Sequence, residues 1–250
     1  MLYGPDLSYV HHVGFGTFAE RAAPGLLTYL RSARIESGLV VDLGCGSGIW
    51  AAHALGAGYD VLGVDVSPAM IEIARRVAPD ADFMVASAHA VTIPRCVAVT
   101  AVGEGISYLA DESPVLDIEK LLYRISDALV PGGLLIFDIV ETSSDAPMRY
   151  EGAREGPDWK AVVQVHEDPT CRLLTRTIDI IRRSGTEARH TVEVHRLRTF
   201  DSQELTLLLA TAGFEVQVTR RYVTVDLAPQ RLGFVARKPR RVECDEVKPT

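Results

Sequence analysis

The chain has 250 residues, of which 47 % are hydrophobic and 24 % charged, a composition that supports a large globular domain and excludes a disordered chain. Twenty-six basic residues against 33 acidic ones leave a net charge of −7, which argues against a surface built to neutralise nucleic-acid phosphates or to lie on anionic lipid. No apolar run is long enough to span a bilayer, and MLYGPDLSYVHH is not a basic segment followed by an apolar one, so a cytoplasmic protein is expected.

Residues 1–37 read as an N-terminal helical segment, with Phe18, Ala22, Leu26, Leu27 and Leu30 at helical spacing in an amphipathic stretch from Phe15 to Ser37. Residues 38–141 alternate strand and helix. Buried strands are expected at Leu39–Leu43, Val61–Asp65, Phe83–Val85, Cys96–Ala101 and Leu134–Val140, with helices at Ile49–Leu55, Ser67–Val77 and Asp117–Leu129. This rhythm predicts a parallel sheet covered by helices on both faces. Residues 142–200 form an insertion. A loop over 142–157 precedes three antiparallel strands, Trp159–Glu167, Leu173–Arg183 and Arg189–Phe200, whose alternating valines leave one face wet. Residues 201–236 return to the core with a helix at Gln203–Ala212 and strands at Glu215–Thr219 and Leu232–Ala236; 237–250 read as a solvated polar tail.

Cys45, Cys96, Cys171 and Cys244 lack the short paired spacing of a structural zinc site, and no disulfide is expected in a reducing compartment. The turn Asp42-Leu43-Gly44-Cys45-Gly46-Ser47-Gly48 joins a strand to a helix. Its glycines let the backbone turn sharply and let a ligand approach the main chain. The third glycine falls one place early for a dinucleotide fingerprint, and no Gly-Lys-Ser/Thr follows as a Walker loop needs. Asp65 ends the next strand, about twenty residues on, where an acid can accept from a ribose diol.

These residues resemble the first motif and second acid of class I S-adenosylmethionine-dependent methyltransferases, and the resemblance runs from about Gly38 to Ile136. It implies a seven-stranded, doubly wound, mostly parallel sheet with the last strand antiparallel, and S-adenosylmethionine as cofactor with S-adenosylhomocysteine as product. The family pattern implies that Asp42, Gly44, Cys45 and Gly46 underlie the methionine part of the cofactor, that Asp65 binds the ribose, and that Val66 and Met70 flank the adenine. Ser87 stands where the family often has an acid, with Ala88 beside it; Gly103 and Glu104 end the fourth strand near the sulfonium. The resemblance also implies that residues 1–37 form an N-terminal helical lid, in which Tyr9 covers the cofactor carboxylate and Phe15 adjoins the cofactor, and that the 142–200 insertion is a lid over the acceptor.

Base-modifying nucleic-acid methyltransferases carry an Asn/Asp-Pro-Pro-aromatic box after the fourth strand. Here Val102-Gly103-Glu104-Gly105 stands in that place, so a small-molecule acceptor is expected, without nucleic-acid or membrane partners. Glu104, His195 and His12 are the candidate general bases for an O–H or N–H acceptor, with His11 beside His12. His195 lies on the strand face shared with Glu193, opposite Val192 and Val194, and a solvated or structural role competes with a catalytic one. Asp138 lies inside its strand and Glu104 lacks an evident carboxylate partner, so no metal is expected. Cofactor-dependent chemistry other than methyl transfer, such as cyclisation, and a non-catalytic cofactor-binding role are the alternatives.

Overall fold

The computed structural model of the protein describes residues 2–109, 117–144, 146–185 and 187–240. Helix α1 (Pro5–Phe15) starts on a proline, whose missing N–H costs nothing in a first turn. It is followed at once by α2 (Thr17–Ser32). The N-terminal lid is helical, as expected; the helix expected from Phe15 to Ser37 begins at Thr17 and stops at Ser32. Arg34 adopts a left-handed φ of 60°, and the Ile35 N–H turns back to the Leu30 carbonyl at 3.0 Å, closing the helix end.

Strand and helix then alternate as β1 (Leu39–Leu43), α3 (Ile49–Gly56), β2 (Asp60–Asp65), α4 (Pro68–Val77), β3 (Asp82–Val85), β4 (Cys96–Ala101), α5 (Ile118–Ala128) and β5 (Leu129–Val140). Neighbouring side chains on β1 enter different cores: Val40 packs with Leu26, Leu30 and Ala51, and Val41 with Leu122, Ile125 and Phe137. A strand covered on both faces in this way needs apolar residues at successive positions, which is what the chain supplies.

The insertion contains β6 (Arg149–Glu155), β7 (Trp159–Asp168), β8 (Leu173–Ser184) and β9 (Glu187–Arg198), paired antiparallel in that order. Strand β6 corrects the loop expected over 142–157. It is an almost wholly exposed edge strand, held by pairing with β7, so no hydrophobic alternation marks it. The chain closes with α6 (Ser202–Thr211), β10 (Glu215–Thr219), a small ribbon of β11 (Arg221–Tyr222) and β12 (Val225–Asp226), and β13 (Arg231–Arg237).

The main sheet has seven strands in the order β10-β13-β5-β4-β1-β2-β3, with β13 antiparallel to both of its neighbours. The path runs outward from β1 to β3 and then returns to β4 beside β1. That reversal opens a crevice at the carboxyl ends of β1 and β4, the place where such sheets bind ligands. The basic segment at 237–240 is not simply a tail. Arg237 completes β13, and Lys238 Nζ donates to the Ser126 and Leu129 carbonyls at the end of α5, at 2.6 and 2.8 Å. Residues 241–250, including Cys244, lie outside the described residues.

Helix α1 covers the crevice, and the second sheet packs against α1. Trp159, Ala161, Ile178 and Ile180 bury themselves against Leu7 and Val10, while Asp6 pairs with Arg182 at 3.0 Å and with Arg189. Trp159→Ala should remove about 3–5 kcal/mol of packing. Hydrogen exchange should then rise in α1 and the second sheet together while the central strands stay protected; equal exchange throughout would mean that the roof and core unfold as one unit.

Candidate active site

The glycine turn has three left-handed residues, Gly44 (φ 76°), Gly46 (φ 53°) and Gly48 (φ 76°). A Cβ on Gly44 would lie 2.9 Å from the Gly105 Cα, because the ends of β1 and β4 meet through two bare backbones. Beside Gly46 and Gly103 a Cβ would meet nothing within 4 Å, so both leave open backbone. Asp65 fixes the turn from the next strand: Oδ2 accepts the Gly46 N–H at 2.9 Å and Oδ1 the Ser67 N–H at 2.8 Å. Burial pushes its carboxyl up, against the pull of those amides. Asp42 accepts a hydrogen bond from Thr100 Oγ1 at 2.7 Å, and Trp50 Nε1 donates to the same hydroxyl at 3.0 Å. Burial outweighs the Thr100 bond and raises the Asp42 carboxyl to about 7.

A cavity of ≈ 300 Å³ runs from this turn across the end of β4. Asp42, Gly44, Cys45, Asp65, Val66, Ser87, Ala88, Gly103, Glu104 and Phe15 line it. Gly46 adjoins this lining without being part of it, its amide held by Asp65. At the far end the lining changes to Tyr3, His11, Phe18, Tyr108 and Arg231.

That end is organised by Glu104, which is buried and has a left-handed φ of 69°. Asp138 accepts the N–H groups of Gly103 and Glu104, at 2.7 and 3.1 Å, and the Tyr222 hydroxyl donates to it at 2.9 Å. The Glu104 carboxylate meets Arg176 Nη2 at 3.1 Å and Arg231 Nε at 2.8 Å. Burial opposes its charge, yet the two guanidiniums together prevail and hold the carboxyl below the usual glutamate range. Arg176 also donates to the Tyr108 hydroxyl at 3.2 Å, which lies 2.8 Å from the Tyr3 hydroxyl.

Four sequence candidates are elsewhere. Tyr9 lies under the Arg182 guanidinium, 3.7 Å from ring centroid to the guanidinium carbon, on the outer side of α1. His12 turns to the same outer groove, with Nδ1 3.0 Å from Ser47 Oγ. Met70 is buried in α4 behind the cavity wall. His195 is fully buried, its Nε2 2.9 Å from Glu193 Oε2, while Val192 and Val194 take the exposed face of β9. It packs against Tyr3 and Tyr108 at centroid distances of 4.7 and 5.8 Å, so it supports the wall without forming it. His11 does line the cavity, and burial lowers its imidazole to about 4. Sequence reading singled out none of Tyr3, Phe18, His89, Tyr108, Arg176 and Arg231 for the site; only Tyr3 and Phe18 lie in the segment it had marked as lid. Among the described residues no group of three or more His, Cys, Asp or Glu could hold a metal ion.

Sheet order, glycine turn and crevice are together those of a class I methyltransferase. Residues 40–133 match the family described as methyltransferase domain. The chain is 23 % identical over 224 residues to the putative methyltransferase YqeM of Bacillus subtilis strain 168, covering 86 % of this chain and 90 % of that protein. It superposes on an S-adenosylmethionine-dependent methyltransferase from Clostridium acetobutylicum with a TM-score of 0.76 at 14 % identity, covering 93 % of this chain and 97 % of the other. The sugar N-methyltransferase KedS8 from a Streptoalloteichus species gives a TM-score of 0.75 at 21 % identity, covering 96 % and 97 %. The chain thus carries a methyltransferase domain over residues 40–133 on the fold of the S-adenosylmethionine-dependent methyltransferases.

Replacing Asp65 by Ala removes the acceptor for Gly46 and Ser67 as well as any ligand hydroxyl. It should weaken S-adenosylhomocysteine binding tenfold or more in calorimetric titration, on the order of 1–3 kcal/mol. Asp42 gives a pH test. Its carboxyl is raised in the folded state, so the native chain binds more protons than the unfolded one between the ordinary aspartate range and about 7, and stability falls as pH rises through that window. The melting temperature of Asp42→Asn should therefore decline less from pH 5 to pH 8 than that of the unchanged chain; parallel declines would contradict the buried acid.

Proposed function

We propose that the chain methylates an oxygen or nitrogen of a small organic acceptor by in-line displacement within this cavity. The observation that carries the reading is enclosure: α1, backed by the second sheet, covers the crevice, and its far end is walled by Tyr3, His11, Phe18, Tyr108 and Arg231. An acceptor has to be small to reach that end. The likeness to a sugar N-methyltransferase supports the same size class.

The residues suit the cofactor. The open backbones of Gly46 and Gly103 leave room for the methionine part beside Gly44 and Cys45. Each Asp65 oxygen accepts one backbone N–H and keeps a lone pair for a ribose hydroxyl. Val66 remains 42 % exposed although apolar, as a side chain covered by an adenine would be before binding. Ser87 Oγ accepts the His89 N–H at 3.2 Å and keeps its own O–H for the base. S-Adenosylmethionine supplies an electrophilic methyl group on a sulfonium centre.

Proton removal is the lesser task for this wall. Glu104 is held ionised, with both oxygens engaged by guanidiniums, and makes a poor base. His12 and His195 do not reach the cavity. His11 is a neutral imidazole at pH 7 and can accept a hydrogen bond from the acceptor. Acceleration then comes chiefly from alignment and from exclusion of water. The Tyr3–Tyr108 pair helps to align: only one of its two hydroxyl hydrogens is used between the rings, which leaves the other for the acceptor.

Incubation with methyl-labelled S-adenosylmethionine and fractionated small metabolites should release S-adenosylhomocysteine only when an acceptor is present; labelling confined to nucleic acid or protein would refute the acceptor class. With that acceptor, Tyr108→Phe should raise KM roughly fivefold, as for one lost hydrogen bond, and leave S-adenosylhomocysteine affinity unchanged.

A further inference from the structure

Arg231 opens β13 opposite Val140, at the carboxyl end of β5, and lines the cavity. The order β1-β4-β5-β13 places three strand spacings, roughly 14 Å, between the glycine turn and this side chain. It therefore stands on the side of the cavity remote from the turn.

A guanidinium has five N–H donors in a planar fork. One edge of Arg231 is occupied: Nε donates to Glu104 Oε1 at 2.8 Å, and Nη2 lies 2.8 Å from the same oxygen. Nη1 is 3.9 Å from Asp138 Oδ2, too far for a hydrogen bond, and has no other partner among the described residues. Asp138 is already met by two backbone amides and Tyr222. The guanidinium carbon lies 5.5 Å from the Phe18 ring centroid, and the side chain keeps 24 % exposure. Arg176 differs, since its two terminal nitrogens bind Tyr108 and Glu104. Arg231 thus presents a fixed, flat edge with unused donors to the cavity.

We propose that the Nη1–Nη2 edge of Arg231 clamps a carboxylate of the methyl acceptor, making Arg231 a positioning and specificity residue. The inference rests on the methyltransferase reading and adds the acceptor's chemical class. A carboxylate fits that edge with two parallel hydrogen bonds. A phosphate dianion would set more negative charge against the buried Glu104 carboxylate than a carboxylate does.

The test is calorimetric titration of the full chain saturated with S-adenosylhomocysteine, using benzoate, succinate and citrate, their neutral methyl esters, and phenyl phosphate. At least one acid should bind tenfold or more tightly than its ester. Arg231→Gln should abolish that preference and Arg231→Lys should lose most of it, because an ammonium is a point charge without the fork. Both variants should bind S-adenosylhomocysteine within about twofold of the unchanged chain; the lysine variant decides the matter if the glutamine variant does not fold. Equal binding of acids and esters, binding of phenyl phosphate alone, or an acid preference untouched in either folded variant overturns the proposal. Loss of S-adenosylhomocysteine binding in a folded variant would assign the edge to the cofactor's own carboxylate and overturn it as well. Failure of the unchanged chain to bind S-adenosylhomocysteine would instead refute the methyltransferase reading itself.

Discussion

The arrangement at the far end of the cavity depends on one buried carboxylate. Glu104 leaves β4 in a left-handed conformation that a side chain adopts only at a cost, and Asp138 holds it there by accepting two consecutive N–H groups from the next strand. The carboxylate thereby projects between Arg176 of the second sheet and Arg231 of the last strand. Three segments distant in sequence are joined at one point. A buried group of this kind is weak evidence for stability, because desolvation offsets much of the attraction, but removal of one partner leaves an uncompensated charge. Its contribution is placement: Arg176 positions Tyr108, Tyr108 positions Tyr3, and Arg231 is turned with one edge bound and one edge free.

The roof above that cluster is tied down by a different set of contacts. Glu193 accepts the Gly4 N–H at 2.8 Å and meets His195 with its other oxygen, and Ser67 Oγ donates to the Tyr3 carbonyl at 2.6 Å. Backbone bonds from Leu109 to Arg196 and from Arg198 to Ser107 fasten the segment after Glu104 to β9. Asp6 adds charge pairs with Arg182 and Arg189, and its hydrogen bond to Arg189 is the leading cause of a carboxyl lowered below the ordinary aspartate range. That contribution is present above the unfolded aspartate pKa and is lost as pH falls through the lowered value. Tyr3 thus has its backbone bonded to the start of α4 and its hydroxyl to Tyr108, which links the lid to the cavity wall.

What could be read from the chain follows the range of the interactions. Asp42, Gly44, Gly46 and Asp65 lie within two consecutive strand–turn units, and their function depends on backbone conformation and short spacing, both local. The same holds for the strands of the main sheet, whose apolar runs mark burial on both faces. Strand β6 carried no such mark, since an exposed edge strand depends on its neighbour's backbone and not on its own side chains. His195 was placed on the right face of β9, but the face with the valines is the wet one, and only the packing of α1 against the sheet decides that. Tyr9 and His12 have the right chemistry in the right segment; the turn of α1 that brings His11 and Phe15 inward directs them outward.

The acceptor end was illegible for the same reason that makes it specific. Tyr3, Tyr108, Arg176 and Arg231 come from four separate segments, and none sits in a spacing that signals chemistry alone. Arg231 begins a strand and Arg176 occupies one inward position among several on β8. Their role appears only when the return of the chain from β3 to β4, and the antiparallel entry of β13, set them around Glu104. A fold that fixes its cofactor turn locally and assembles its acceptor wall from distant parts can change substrate by exchanging roof and last-strand residues, while the turn stays as it is. On that argument the residues to exchange, if the proposal for Arg231 holds, are Arg231 and the aromatic side chains that share its end of the cavity, and not the glycine turn.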